Sequence, residues 1–186
     1  GFIPKKESEA AVAQLKFTLD PNEAFYDDKL DILECETYDQ SPMDPVQSFD
    51  VVSMAGRDGE PDPAMLQFLR LCKLGGMDAF LLESVFRSDV WGFMELPISE
   101  DNEKAALECV FDACETSLKE FASCPEGGRE VCKMLRALET RALRRTIEFI
   151  ERDKESLDLK EYYQERRLRG LGLESEWSPE DDMSED

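Results

Sequence analysis

The sequence predicts a mainly α-helical bundle with long antiparallel helices and a small β ribbon near the N-terminus. Leu107, Phe111, Cys114, Leu118 and Phe121 recur at alternating spacings of four and three. After the break from Ser123 to Gly128 the pattern resumes at Val131, Leu135, Leu138 and Ala142. Such spacing puts one apolar stripe on each of two helices, and a short turn between them predicts antiparallel packing. Only two short stretches read as strand: Gln14 to Leu19, which alternates polar and apolar residues, and Phe49 to Ser53.

Taken in order, the first strand is stopped by Asp20-Pro21, and Ala24 to Glu36 carries Phe25, Leu30, Ile32 and Leu33 with acids opposite, a short amphipathic helix. The turn formers Gly56 to Gly59 close the second strand. Asp62-Pro63 supplies an N-cap and a first-turn proline for a helix through Met65, Leu66, Leu69, Leu71 and Leu74, which Gly75-Gly76 end. A further helix is expected from Asp78 through Phe80, Leu81, Leu82, Val85 and Phe86, and a short one over Val90 to Glu95 before Pro97. Ser99 caps the first long helix, whose opening turn is acidic. In the second, the stripe drifts to Leu143, Ile147 and Ile150, as it must when a straight helix meets a seven-residue repeat. Leu157 to Leu171 reads as a last helix, and 174–186, with seven acids and no basic residue, as a disordered acidic tail.

Composition limits function before any motif is considered. The 186 residues, 41% of them apolar with 11 Phe, suffice for one well-buried domain. Forty-three acids against 22 bases leave a formal charge of -21, a field that repels nucleic acid and anionic membrane and draws cationic partners. Six cysteines include no Cys-x-x-Cys pair, and the chain has no histidine, so no metal site is expected and the thiols read as unpaired. A histidine base and a phosphate-binding glycine loop are likewise missing, leaving no catalytic residue to assign.

Two constellations remain as candidate substrate contacts. Asp27, Asp28, Asp31 and Glu34 lie at helical spacing, where they either face a lysine-bearing segment or form a solvated helix face. Trp91, with Phe86 and Phe93, is either an exposed recognition patch or part of the core. Arg141, Arg144, Arg145, Arg166, Arg167 and Arg169 are the one basic concentration, expected to pair with acids across helical faces.

Three separated blocks carry a family resemblance: Phe25-Tyr-Asp-Asp-Lys-Leu-Asp31, the run Leu69 to Glu103, and Glu161-Tyr-Tyr-Gln-Glu-Arg-Arg-Leu-Arg-Gly-Leu-Gly-Leu173. Together they resemble the C-terminal substrate-binding region of plant and algal SET-domain protein-lysine methyltransferases that act on the Rubisco large subunit and fructose-bisphosphate aldolase. Cys35 to Glu60 and Phe121 to Ile150 match that family only in pattern and length, and Pro61-Asp62-Pro63 stands where Leu-Pro-Pro is expected.

The resemblance implies that residues 1–20 are the end of a SET domain and its connecting strand, and that 21–173 form the helical substrate-binding domain. It makes Gly1-Phe2 the tail of a Tyr-Gly-Phe motif, with Phe2 beside the S-adenosylmethionine pocket of the full-length enzyme and no cofactor expected for this chain alone. It also implies a chloroplast location and a lysine-bearing protein substrate, Rubisco or aldolase. The alternative is a stand-alone helical protein-interaction module without enzymatic activity.

Overall fold

In the computed structural model the described residues are 11–35, 42–53, 59–83, 86–123 and 130–155. Alternation in the first strand has the expected consequence. Ala13, Leu15, Phe17 and Leu19 point inward while Val12, Gln14, Lys16 and Thr18 face out, over a strand β1 of Ala11–Thr18. It pairs antiparallel with β2, Val46–Ser53, in a register that sets Ala13 opposite Val51 and Leu15 opposite Phe49. Both strands begin three residues earlier than the sequence patterns suggest, at Ala11 and Val46, because those residues find partners on the other strand.

Between the strands lies α1, Tyr26–Glu34, and after them α2, Pro63–Cys72. Asp62 caps α2 as its position predicts, its carboxylate accepting from the Ala64 amide at 2.7 Å. Phe68 of α2 is fully buried, and its ring stands 5.9 Å from that of Phe49, which in turn lies 6.4 Å from Phe17. A file of three rings thus ties the ribbon to the helices, each pair offset as aromatic quadrupoles prefer.

The helix expected from Asp78 is a tighter 3₁₀ segment, Gly76–Leu82. It is confined between Gly76, whose φ of 56° suits glycine, and an extended Glu83, so only two turns fit. Leu81 and Leu82 still reach the core, and Phe80 meets Phe86 edge-on at 5.9 Å. A short α3, Val90–Phe93, follows.

The two long helices are α4, Glu100–Ser123, and α5, Glu130–Glu155. The Ser99 hydroxyl accepts from the Asn102 amide at 3.2 Å, so the predicted cap forms. Lys154, near the end of α5, lies 3.4 Å from Glu108 and over the ring of Phe111 in α4, which fixes the antiparallel arrangement. α5 also packs on both strands and α4 on α2. At Gly59 the incoming loop runs so close to α5 that an added Cβ would sit 2.1 Å from the Arg145 carbonyl oxygen, a contact that requires glycine.

The stripes are not buried throughout. In α4 the inward face is Ala106, Leu107, Val110 and Cys114, while Phe111, Leu118 and Phe121 are partly covered. In α5, Ala142, Leu143 and Ile150 are fully buried, but Val131, Met134 and Leu135 remain 63%, 58% and 56% exposed. The apolar stripe of Leu107 to Phe121 is therefore buried only in part, and the start of the second stripe stays mostly exposed. The helix expected at Leu157 to Leu171 and the acidic tail fall outside the described residues.

Candidate functional site

The outer face of α1 presents the acids that sequence spacing singles out. Asp31 and Asp28 are drawn onto one guanidinium, with Arg87 Nη2 at 2.7 Å from Asp31 Oδ2 and 3.5 Å from Asp28 Oδ1. Asp27 and Glu34 are exposed on the same helix. The group keeps a net negative charge, since one arginine offsets only one of the two carboxylates it touches. All three ion-pair partners retain a third or more of their side-chain exposure, so the contacts are screened and exchangeable.

The inner face of α1 is less ordinary. Lys29 is 1% exposed, and its ammonium nitrogen donates to the Cys72 carbonyl oxygen at 2.8 Å. That carbonyl belongs to the last turn of α2, where backbone acceptors lack intrahelical partners and a cation opposes the negative end of the helix dipole. Burial pushes the Lys29 pKa down, with Glu23 acting against it. The same burial pushes the Cys72 thiol up to about 12. Nothing in the sequence pattern marks Lys29 as internal, because lysine between two acids and an apolar residue reads as a surface position.

Arg70, two residues back in α2, completes the support. Its guanidinium reaches Glu103 of α4 through two contacts of 2.6 and 2.9 Å and donates to the Met94 and Glu95 carbonyls at 3.0 Å each. The Asn102 amide donates to the Arg70 carbonyl at 3.0 Å. Buried charge of this kind is tolerated only where nearly every donor is matched. The consequence is geometric. The end of α2 is locked to α1, α3 and α4, and the loop that leaves it is held by an ion pair between Lys73 and Glu23 and by a Ser99–Asp78 hydrogen bond. From that loop Met77 projects with 91% exposure. Phe25, half-exposed with a φ of 60°, opens α1 next to Glu23.

Trp91 lies beneath this surface, 8% exposed, with its backbone carbonyl accepting from Gln67 at 2.9 Å. Of the two readings open for it in the sequence, the structure places it in the core, where it props α3. Phe2 lies outside the described residues. Among the described residues there is no cluster of three potential metal ligands and no helix long and apolar enough to cross a membrane. Gly59 is closed onto the Arg145 carbonyl, and Gly75-Gly76 follow a helix, not a strand.

The model of the family described as Rubisco LSMT substrate-binding matches residues 20–130. The chain is 39% identical to the chloroplastic fructose-bisphosphate aldolase-lysine N-methyltransferase of Arabidopsis thaliana, over 95% of this chain and 37% of the relative. It is 35% identical to the chloroplastic ribulose-1,5 bisphosphate carboxylase/oxygenase large subunit N-methyltransferase of Pisum sativum, over 93% and 36%. The solved structure of Rubisco LSMT bound to AdoMet superposes with a TM-score of 0.66 at 34% identity, covering 93% of this chain and 41% of that one. The chain thus spans little more than a third of the curated relatives it matches, and it belongs to the Rubisco LSMT substrate-binding family.

Proposed function

We propose that this chain is the protein-holding half of a SET-type lysine methyltransferase, and that the methyl transfer itself is performed by a SET segment outside it. The observation that carries this reading is the match to the substrate-binding family over residues 20–130, with the exposed acids of α1 standing beside a frame of buried ion pairs. Transfer from the sulfonium of S-adenosylmethionine requires an uncharged lysine amine held in line with the methyl group in a dry channel. A remote surface contributes by binding the rest of the polypeptide, and that energy orients the lysine.

In this reading Asp27, Asp28 and Asp31 accept hydrogen bonds from cationic side chains flanking the target lysine, with Arg87 exchanging its carboxylates for the incoming cation. Trp91 acts only as a support. The substrate is a lysine-bearing chloroplast protein, of which the Rubisco large subunit and fructose-bisphosphate aldolase are the two the relatives' names provide.

Calorimetry separates the two halves. S-adenosylmethionine titrated into the isolated chain is expected to give no binding heat, and joining the chain to an upstream SET segment is expected to give lysine methylation. Saturable cofactor binding or methylation by the isolated chain would overturn the assignment.

A further inference from the structure

Two large apolar side chains stand in solvent on segments that the fold fastens together. Phe25 is the residue from which α1 starts and is 46% exposed, and Met77, at the head of the 3₁₀ segment that follows α2, is 91% exposed. The Glu23–Lys73 ion pair joins the two segments, and Lys29 of α1 donates across the same junction to the carbonyl of Cys72, the last residue of α2, at 2.8 Å. Neither exposed side chain joins the hydrophobic core.

Phe25 stands there at a conformational cost. Its φ of 60° and ψ of 32° are left-handed, a region that residues with a Cβ disfavour, and it fills an N-cap position without the side-chain oxygen that a cap uses. Among the described residues it is the one non-glycine with positive φ. Met77 follows Gly76, whose φ is 56° and where an added Cβ would meet nothing within 4 Å. Glycine there serves the direction of the chain and not close packing. Strain that core burial does not offset points to contact with another molecule. Charge says of what kind: Asp27 and Asp28 follow Phe25 directly along α1, and Asp27 is exposed.

We propose that Phe25 and Met77 provide an apolar contact for a partner polypeptide that carries a leucine-sized side chain beside its basic residues. The cations meet Asp27 and Asp28 while the apolar side chain rests against the phenyl ring and the thioether. The proposal rests on the reading of this chain as a protein-holding domain and adds selectivity to it. Acids alone admit any basic segment, whereas an aromatic ring and a methionine favour one with an apolar neighbour.

The test uses the 186-residue chain and two fluorescein-labelled peptides of equal charge, one with leucine beside a Lys-Arg-Lys run and one with serine in its place. Fluorescence anisotropy is expected to show the leucine peptide bound about fivefold tighter, the effect of one well-placed apolar contact. Phe25→Asn and Met77→Ser are each expected to abolish that preference and to leave binding of the serine peptide unchanged. Asparagine tolerates a left-handed backbone and caps helices, so the urea midpoint of Phe25→Asn is expected to equal or exceed that of the parent chain. Equal binding of the two peptides, or a preference that survives either substitution, would overturn the proposal and leave the α1 reading intact, since the acids alone then hold the peptide. No binding of either peptide would overturn both. A lowered midpoint would overturn the proposal by placing the ring among the groups that hold the fold, and so would a preference lost as protein concentration rises, which assigns the contact to a second copy.

Discussion

Lys29 shows how a single buried side chain can tie one helix to the end of another. Its ammonium caps the C-terminal end of α2 from the inner face of α1, and burial lowers its pKa. Between that lowered value and the ordinary 10.5 the unfolded chain binds more protons than the folded one, so stability from this group rises with pH across the window. Lys29→Met is expected to remove that rise and to cost about 1–3 kcal/mol near neutrality by leaving the Cys72 carbonyl unpaired. Urea unfolding of both proteins at pH 8 and pH 10 measures both effects. Thiol chemistry tests burial in the same region. Cys72 and Cys114, each pushed up to about 12 by burial, are expected to resist alkylation at pH 8, while exposed Cys35 and Cys132 react. The burial of Cys114 is legible in the sequence, where it sits in an apolar stripe, but Lys29 and Arg70 look like surface residues. Their burial is decided by which carbonyls and carboxylates tertiary packing brings to them.

At the scale of elements, local chemistry reads well and coverage does not. Asp62 and Ser99 cap the helices they precede, the β1 alternation faces inward as written, and the broken apolar pattern yields the α4–α5 hairpin. Each of these depends on residues near in sequence. The 3₁₀ turn at Gly76–Leu82 and the bare first turns of α5 depend on how much space neighbouring elements leave, which periodicity cannot report. Two substitutions in one stripe make the difference measurable. Leu143→Ala is expected to cost about 2–5 kcal/mol as a core cavity, and Leu135→Ala to change stability by less than about 0.5 kcal/mol. The frame under the α1 surface has its own test. Glu103→Ala strands the buried Arg70 guanidinium and is expected to cost about 3–5 kcal/mol. Equilibrium unfolding in urea reads all three.

For the whole molecule, the charge distribution and the family membership point the same way. A net charge of -21 favours the approach of cationic groups, and α1 is tied by Lys29 to α2, which Arg70 and Glu103 join to α4. Sequence spacing groups Asp27, Asp28, Asp31 and Glu34 on one helix, but does not show that Arg87 touches two of them, since that relation joins residues tens of positions apart. The division of labour between holding and alkylating is tested most directly by steady-state methylation kinetics of this chain joined to its SET segment, with and without Asp27→Lys, Asp28→Lys and Asp31→Lys together. The expected result is a KM for the protein substrate raised about tenfold, with kcat nearly unchanged and the salt dependence of KM flattened. A fall in kcat at unchanged KM would contradict it, by placing the α1 face in the chemical step.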